Sequence, residues 1–424
     1  MLASGCMAPS SRPALVLGLR ANAGQFALLV GVNALVGGMV GQERAVVPLL
    51  ATDVFGLQAT STALTFLLGF GLAKAVTNLA AGALADRFGR KPVLVAGWFI
   101  GLPVPILLIL APDWSWVIAA NVLLGINQGL TWSTTVLMKI DLVGPGRRGL
   151  ALGLNESSGY LAVALVAFLT GLVAEGAGLR PAPFLIGLAI AGLGLGASVL
   201  FVRETRGHAA LEGAAGATVL ADTPGGWRRM AWRTSVADPS LSAASQAGFV
   251  NNLNDGLAWA LLPIVQAAAG LPIAQIGLLS AAYPATWGLA QVATGALSDR
   301  YGRRPLIVGG MLLQAVAIAA IAATSGFWPW LASAVALGLG TAMVYPTLIA
   351  VIADVAPSRQ RGAVVGIYRF WRDLGFAAGA VLIGLVAAVA GASTAILAVA
   401  ALTALSGIVV AVRMRETRPA RAQT

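Results

Sequence analysis

The feature that most constrains this chain is a series of apolar stretches, each about 18–25 residues long, that recur along nearly its whole length. An α-helix needs about 20 such residues to cross the ~30 Å hydrocarbon core of a bilayer. Only 10% of the 424 residues are charged, whereas a soluble domain averages about 25%. The chain therefore cannot cover a water-facing surface of its own, which excludes a soluble enzyme, a nucleic-acid-binding protein and a disordered protein.

Twelve apolar segments can be counted in windows of about 19 residues. They lie near residues 24–50, 59–82, 92–111, 115–138, 150–173, 182–202, 242–266, 274–297, 305–324, 328–352, 363–389 and 393–412. The sequence thus predicts an all-α polytopic membrane protein with twelve transmembrane helices. Its expected parts are a tail at 1–20, a six-helix bundle at 21–202, a polar linker at 203–241, a second six-helix bundle at 242–412 and a tail at 413–424.

Basic residues predict the orientation, because Lys and Arg are retained on the cytoplasmic side of a membrane. With the N-terminus inside, 22 of the 27 Lys and Arg residues fall in inside segments, and only Arg180 falls in an outside loop. We therefore expect a monomeric, multi-pass protein of the bacterial inner (plasma) membrane with both termini in the cytoplasm. The net charge of +11 then neutralises anionic lipid and does not indicate a nucleic-acid partner.

Side chains suited to catalysis or metal binding are scarce. Cys6 and His208 are the single cysteine and the single histidine, so we expect no disulfide, no metal site, no cofactor and no enzymatic activity. The nucleotide-binding pattern Gly-x-x-x-x-Gly-Lys-Ser/Thr is also absent from the sequence. The sequence therefore offers no site of this type at which ATP could supply energy.

The chain contains an internal repeat. The run Gly82-Ala-Leu-Ala-Asp-Arg-Phe-Gly-Arg-Lys-Pro92 returns 213 residues later as Gly295-Ala-Leu-Ser-Asp-Arg-Tyr-Gly-Arg-Arg-Pro305. Asp141 and Asp354 match at the same offset, and Arg-Glu-Thr-Arg occurs at both 203–206 and 415–418. These matches at the same ends of the helices indicate that a six-helix unit has been duplicated.

On these residues the sequence resembles the major facilitator superfamily, whose signature Gly-x-Leu-x-Asp-Arg-x-Gly-Arg-Lys/Arg sits after the second and eighth helices. The resemblance covers about residues 20–414. It implies two pseudo-symmetric six-helix bundles that rock about a central site between inward-open and outward-open states. No subfamily is assigned, because the sugar-porter and drug-exporter signatures are incomplete in this sequence.

The resemblance also implies a cytoplasmic gate. Asp86 is expected to face the start of the eleventh helix near Gly362, and Asp299 the start of the fifth near Gly149. Arg90 and Arg303 are then expected to pair with Asp141 and Asp354. The predicted gate residues are Asp86, Arg87, Arg90, Asp141, Asp299, Arg300, Arg303 and Asp354. Alternatively, the basic residues only fix the topology.

Eight charged residues fall inside the predicted helices, in equal numbers of each sign: Glu43, Arg44, Lys74, Glu156, Asp255, Arg369, Arg372 and Asp373. Lys74 and Asp373 lie at matching depths of ~18 and ~16 Å, and because the second and eleventh helices pack together in the superfamily, we expect these two to pair. Alternatively, Lys74 snorkels to an interface. Glu43 and Arg44 belong either to an outer gate or to an interfacial turn.

In the superfamily, the first, fourth, seventh and tenth helices line the substrate cavity. The residues expected there are Asn127, Gln128, Trp132, Asn251, Asn254, Asp255, Trp259 and Tyr345. Amides also hold helices together in membranes, so this remains an alternative role for the asparagines and the glutamine.

Taken together, the sequence predicts a secondary active transporter that moves a small solute by alternating access and is coupled to protons. Asp255 and Glu156 are the candidate proton carriers, because a carboxylate can become neutral in a dry site. The alternative is a membrane sensor or enzyme that kept the transporter fold and lost transport. The substrate and the direction of transport stay open.

Overall fold

The structure is a computed structural model that describes residues 16–57, 64–143, 148–209, 211, 226–356 and 361–417, without the side chains of 148–152, 296, 299 and 361–363. Twelve long helices make up most of these ranges. They are α1 (Ala23–Arg44), α2 (Thr65–Phe88), α3 (Arg90–Leu110, interrupted at Leu102), α4 (Trp114–Val143), α5 (Arg148–Ala177), α6 (Ala182–Leu200), α7 (Pro239–Gly256), α8 (Ile273–Tyr301), α9 (Arg303–Ala323), α10 (Phe327–Val355), α11 (Arg361–Ala390) and α12 (Ala392–Arg413).

The helices form two bundles, α1–α6 and α7–α12, as the repeat predicts. Within the first bundle α1 packs on α5 and α2 on α4, and within the second α7 packs on α11 and α8 on α10. Two long seams join the bundles, one between α2 and α11 and the other between α5 and α8. The fold is therefore the predicted pair of six-helix bundles, and any space between these seams lies at the centre of the molecule.

Nine of the helices in the described ranges are long and apolar enough, by length and composition alone, to cross a membrane. The other three, α4, α7 and α8, carry a larger share of polar side chains, such as the amides and carboxylate of 251–255 in α7. Polar groups on membrane helices are expected to face the protein interior. In α7 the run Asn251–Asp255 is indeed buried.

The first helix of each bundle is broken at an equivalent place. After α1 the chain continues as a short helix at Val47–Leu49 and a π-turn at Leu50–Val54, and after α7 it continues as a π-turn at Leu257–Leu261 and a helix at Leu262–Ala268. Pro48 and Pro263 stand at these breaks. Proline lacks an N–H and its ring clashes with the carbonyl four residues earlier, so it interrupts the helical hydrogen bonds.

Tight turns connect α2 to α3 and α8 to α9. Gly89 and Gly302 form these turns with φ of +98° and +105°, a conformation that favours glycine. The side of the molecule that carries these two glycines and the starts of α1 and α7 is called the terminal side below, and the opposite side the far side.

Candidate functional site

The first bundle carries a charged cluster on the terminal side. Arg90 Nε donates to Asp141 Oδ2 over 3.3 Å, and Arg90 Nη1 lies 2.5 Å from Asp86 Oδ1. Thr205 Oγ1 also donates to Asp141 Oδ2, over 2.8 Å. The predicted pair of Arg90 and Asp141 is therefore present, and Thr205, which follows α6, is added to it.

Glu204 caps the start of α3 in this cluster. Its carboxylate accepts the backbone N–H groups of Arg90 and Lys91 over 3.0 and 2.9 Å, and those of Thr205 and Arg206 over 3.0 and 2.9 Å. Partial burial acts to raise the pKa of Glu204, but these four donors outweigh it and hold the pKa below its ordinary value. A side chain at Gly89 would meet Glu204 Oε2 at 2.8 Å, so a larger residue there would displace the carboxylate from these donors.

The second bundle repeats the cluster. Arg303 Nε donates to Asp354 Oδ2 over 3.3 Å, as predicted, and Thr417 Oγ1 donates to the same oxygen over 3.3 Å. Glu416 accepts the backbone N–H groups of Arg303 and Arg304 over 2.9 and 3.2 Å. These two groups are called the terminal-side clusters below. The cluster of the first bundle consists of Asp86, Arg90, Asp141, Glu204 and Thr205, and that of the second bundle consists of Arg303, Asp354, Glu416 and Thr417.

Other predicted gate residues are placed less closely. The Asp86 side chain is 73% exposed, and the guanidinium groups of Arg87 and Arg300 lie over the rings of Phe88 and Tyr301. The Asp299 side chain, and the side chains near Gly149 and Gly362 that were expected to meet Asp86 and Asp299, lie outside the described residues. Those two contacts across the seams therefore stay predictions.

Asp373 lies at the middle of the α2–α11 seam and is fully buried. It forms an ion pair of 2.6 Å with Arg372 and accepts hydrogen bonds from the amides of Asn78 and Asn252. Lys74 and Asp373 are close enough to interact electrostatically, but they form no direct ion pair, because Asp373 pairs with Arg372. Three donors already satisfy the carboxylate, and the adjacent Arg372 reaches it more easily than a lysine on another helix.

Lys74 instead lies among aromatic rings. Its ammonium is 5.0 Å from the ring centroid of Phe376, 5.4 Å from that of Phe70 and 5.9 Å from that of Trp132. The residue is only 9% exposed, so it does not snorkel to an interface. Cation–π contacts stabilise its charge in part.

A small cavity lies between the bundles at this depth. It is lined by residues of α2, α4, α5, α10 and α11, including Lys74, Trp132, Tyr345, Arg369 and Arg372. Its volume of ≈ 10 Å³ for water-sized molecules is about that of one water. The central site is therefore nearly closed in this structure, with charged and aromatic groups from both bundles at its surface.

Glu156 is the carboxylate in this cavity. Its Oε1 accepts from Trp132 Nε1 over 3.0 Å and from Asn155 Nδ2 over 3.1 Å, and its Oε2 accepts from the Tyr345 hydroxyl over 3.3 Å. Arg372 Nη1 in turn donates to the Tyr345 hydroxyl over 2.5 Å. Glu156 is thereby linked to the Arg372–Asp373 pair across the two bundles.

Aromatic side chains from both bundles form one wall of the cavity region. The rings of Tyr160 and Trp287 have centroids 3.5 Å apart, Trp287 and Tyr345 lie at 4.9 Å, and Tyr160 and Trp132 at 5.3 Å. Tyr160 and Trp287 were not among the predicted site residues. Their positions in the sequence did not distinguish them from aromatic residues that are buried only for packing.

Glu43, Arg44 and Asp255 form a second buried group toward the far side, 0%, 0% and 1% exposed respectively. Arg44 lies 4.5 Å from the Trp259 ring and 5.2 Å from the Phe70 ring. Because α1 ends at Arg44 and a turn follows it, both alternatives, an outer gate and an interfacial turn, stay predictions. Arg44 and Trp259 each stand four residues before the proline that breaks their helix, so the two equivalent breaks meet here.

Several polar atoms of this second group lack a hydrogen-bond partner among the described residues: both carboxylate oxygens of Glu43, Oδ2 of Asp255 and all three guanidinium nitrogens of Arg44. Oδ1 of Asp255 accepts from the Tyr283 hydroxyl. Tyr283 and Trp259 also line a far-side cavity of ≈ 20 Å³, where Gln266 Oε1 and Ser280 Oγ lack partners as well. Such a cavity is polar and large enough to hold water.

Four amides that were predicted to line the cavity serve another role. Asn127 donates to Gly97 O of α3, and Gln128 donates to Val36 O of α1. Asn251 and Asn254 both hydrogen-bond to Gln314 of α9. All these bonds lie within one bundle. The amides therefore hold neighbouring helices together, which is the alternative that the sequence had left open.

The two seams are closely packed from the centre to the far side. A side chain at Gly71 of α2 would meet the backbone nitrogen of Ala377 of α11 at 2.6 Å, and one at Gly171 of α5 would meet Gly277 Cα of α8 at 2.7 Å. Near the centre, Ser157 Oγ donates to the carbonyl of Gly288 across the α5–α8 seam over 2.9 Å. The bundles are therefore in backbone contact there.

Toward the terminal side, the described residues of the same seams are less closely packed. Four glycines lie there on the helices of the seams. Each is eleven or eighteen residues along its helix from a residue of the far-side contacts, which is about three or five full helical turns, so it lies on the same face of the helix. For none of them would a Cβ find a described atom within 4 Å: Gly82, Gly153, Gly295 and Gly366. Among the described residues, the bundles are thus in contact from the centre to the far side, and no such contact is found at these four terminal-side positions.

Two duplicated six-helix bundles with buried charges at their seams define a membrane protein of the two-bundle type. The sequence profile described as Major Facilitator Superfamily matches residues 27–250 and 244–424. The chain belongs to this superfamily and is a multi-pass integral membrane protein.

Individual relatives match shorter segments. The chain is 36% identical over 88 residues to "Multidrug resistance protein MdtH" of Aeromonas hydrophila, covering 21% of this chain and 22% of that protein. It is 30% identical over 141 residues to "Quinolone resistance protein NorA" of Staphylococcus aureus, covering 33% and 36%. The matches thus span about a fifth to a third of these relatives.

A solved structure shares the fold. It is described as "Crystal structure of a POT family transporter in complex with thioalcohol conjugated peptide" and superposes with a TM-score of 0.72 at 13% identity over 91% of this chain and 95% of that chain. At this identity the likeness shows the fold alone.

Proposed function

We propose that the protein is a proton-coupled secondary transporter that moves a small solute by alternating access. The observation that carries this proposal is the difference between the two ends of the seams. Backbone contacts join the bundles from the centre to the far side, while on the terminal side a Cβ at Gly82, Gly153, Gly295 or Gly366 would find no described atom within 4 Å. Such a structure corresponds to one of the two end states of a rocking pair of bundles.

The terminal-side clusters are proposed as the gate of that side. Each holds the short turn after α2 or α8 to the end of the same bundle through Glu204 or Glu416. Each bundle can then move as a rigid unit. Closure would bring the terminal-side glycines of α2 and α5 against α11 and α8. By the distribution of basic residues, this side is proposed to be the cytoplasm of a bacterial cell.

Asp255 is the proposed proton carrier. It is 1% exposed, and its Oδ2 has no hydrogen-bond partner among the described residues. An isolated buried carboxylate charge costs several kcal/mol, and binding a proton removes that cost. Tyr283 connects Asp255 to the far-side cavity, which gives protons a route from that side. Glu156 is less suited, because donors bind both of its oxygens.

The test is proton flux in proteoliposomes loaded with a pH-sensitive dye. Under an imposed proton gradient, a transported solute should accelerate dissipation of the gradient. Asp255→Asn should abolish this acceleration, while the matched variant Asp53→Asn, at an exposed carboxylate on the far side, should retain it. Unchanged solute-driven proton flux in Asp255→Asn would rule this carrier out.

The second candidate, a sensor or enzyme on the transporter fold, predicts a different result. Such a protein would bind its ligand but move neither the ligand nor protons across the vesicle membrane. The membership in a superfamily of transporters and the less close packing of the described residues on the terminal side favour transport. Uptake of a labelled solute against its gradient separates the two candidates.

A further inference from the structure

The buried charges divide into two groups that differ in balance. The far-side group holds Glu43, Arg44 and Asp255. The central cavity holds three cations, Lys74, Arg369 and Arg372, and Glu156, with Asp373 directly behind Arg372. The equal numbers of acids and bases that the sequence shows are therefore not equal at the central site, where positive charge is in excess.

Both carboxylates near the central cavity are already satisfied. Asp373 is bound by Arg372, Asn78 and Asn252. Glu156 accepts hydrogen bonds from Trp132, Asn155 and Tyr345. Neither of them reaches Lys74 or Arg369 within ion-pair distance among the described residues.

Lys74 and Arg369 are thus the unpaired cations of the cavity. Lys74 is 9% exposed and lies over the rings of Phe70 and Phe376, with the Asp373 carboxylate near enough to act on it but not in an ion pair. Arg369 is partly exposed, and its Nε is buried without a hydrogen-bond partner among the described residues. A buried charge without a partner is costly, and a group of opposite charge removes that cost. The missing partner is an anion.

The wall beside these cations is aromatic. Trp132 and Tyr345 line the cavity together with Tyr160, which packs on Trp287. Flat apolar rings bind planar apolar groups through offset or edge-to-face contacts. A small hydrated inorganic anion would leave this wall without a partner.

We propose that the central site binds an amphiphilic organic anion, with a carboxylate between Lys74 and Arg369 and an aromatic body against Trp132 and Tyr160. Glu156 limits the ligand to one negative charge at this point. Lys74 belongs to the first bundle and Arg369 to the second, so the bound anion bridges the seam and favours its closure. The inference names the substrate class of the proposed transporter; binding of the anion does not depend on the proposed function, and only its transport does.

The experiment measures equilibrium binding to the purified full-length protein in detergent. The probes are benzoate, naphthoate and anthracene-carboxylate, each compared with its neutral amide and with the matching aromatic methylamine. Binding is followed by isothermal titration and by tryptophan fluorescence. Each carboxylate that binds is expected to do so roughly 10–100-fold more tightly than its amide, since hydrogen bonds to charged groups contribute about 1.5–3 kcal/mol.

Variants assign the effect to the two cations. Lys74→Gln and, independently, Arg369→Gln should each remove most of the preference for the carboxylate, whereas Lys74→Arg should keep it. Arg229→Gln, at an exposed arginine of the short helix Gly226–Trp232, is the charge-matched control and should bind as the unmodified protein does. Having three variants guards against the failure of any one to fold.

Three results would overturn the inference: equal affinity for carboxylate and amide, tighter binding of the methylamine, or no binding of any carboxylate. Failure of the transport proposal looks different. In that case the carboxylate binds with the expected preference, but it neither crosses the vesicle membrane nor moves protons. Conversely, proton flux driven only by neutral or cationic solutes would leave transport intact and refute the anion site.

Discussion

Removal of the Glu204 carboxylate tests whether the terminal-side clusters stabilise the bundles. In Glu204→Ala, the N–H groups of Arg90 and Lys91 at the start of α3 lose their acceptor, as do those of Thr205 and Arg206. Loss of a helix N-cap costs roughly 0.5–2 kcal/mol, and loss of a negative charge at a helix N-terminus costs roughly 0.3–1 kcal/mol.

The sum must be reduced for solvent screening, because the Glu204 side chain is only partly buried and much of it is in contact with solvent. The expected loss is then about 1–2 kcal/mol, which corresponds to about a 5–30-fold change in the ratio of folded to unfolded protein. If the protein unfolds reversibly and rapidly before an irreversible step such as aggregation, the rate at which folded protein is lost on heating rises by the same factor. Size-exclusion chromatography of detergent-solubilised protein after timed heating measures that rate.

Two further variants make the result specific. Glu416→Ala, in the repeated cluster of the second bundle, removes the acceptor for Arg303 and Arg304 and should accelerate thermal loss to a similar extent. Arg206→Ala keeps the backbone N–H that binds Glu204 and should stay close to the unmodified protein. If Glu204→Ala lost folded protein no faster than Arg206→Ala, the cluster would not stabilise the bundle as reasoned above.

Three other predictions concern pH, the seams and the buried ion pair. The pKa of Glu204 is lowered in the folded protein. The ionised carboxylate therefore stabilises the fold fully above the ordinary pKa of 4.5, and this stabilisation is lost as the pH falls through the lower pKa of the folded protein. The difference between the rates at which the unmodified protein and Glu204→Gln unfold on heating should shrink correspondingly in acid. Gly71→Ala places a Cβ 2.6 Å from the backbone nitrogen of Ala377 and should destabilise this state by about 1–3 kcal/mol. The control Gly82→Ala, where no described atom lies within 4 Å, should not destabilise it. Equal melting temperatures for the two variants would refute the assigned packing. Asp373→Asn leaves Arg372 buried without its counter-charge and should cost about 3–5 kcal/mol, with partial recovery when Arg372→Gln is added, as measured by folded yield after heating.

The duplicated pattern predicted more than the general fold. The twelve helices, the two bundles and the pairs Arg90–Asp141 and Arg303–Asp354 all follow from a repeat that places the same residues at the same offset. These predicted pairs agree with the structure because each involves residues of one bundle, and the repeat preserves the internal geometry of a bundle. Glu204 and Glu416 were visible in the same repeat, but their capping of α3 and α9 depends on where the chain returns after α6 and α12.

Contacts between the bundles could not be read in the same way. Lys74 and Asp373 match in depth, yet depth along a helix does not fix the rotation of a side chain about it, and Asp373 was bound by nearer donors. The amides of α4 and α7 show the same limit. An asparagine that faces a cavity and one that faces a neighbouring helix look alike in sequence, and only the packing distinguishes Asn127, which meets Gly97, from Trp132, which lines the cavity.

The rocking of the two bundles can be measured directly by pulsed electron paramagnetic resonance. After Cys6→Ser, spin labels are placed on the terminal side at Gly82 and Gly366, and in a second sample on the far side at Gly176 and Gln275. A change in pH or addition of a transported solute should shorten the first distance and lengthen the second. If both distances stayed constant under every condition that drives transport, or changed in the same direction, the two bundles would not alternate.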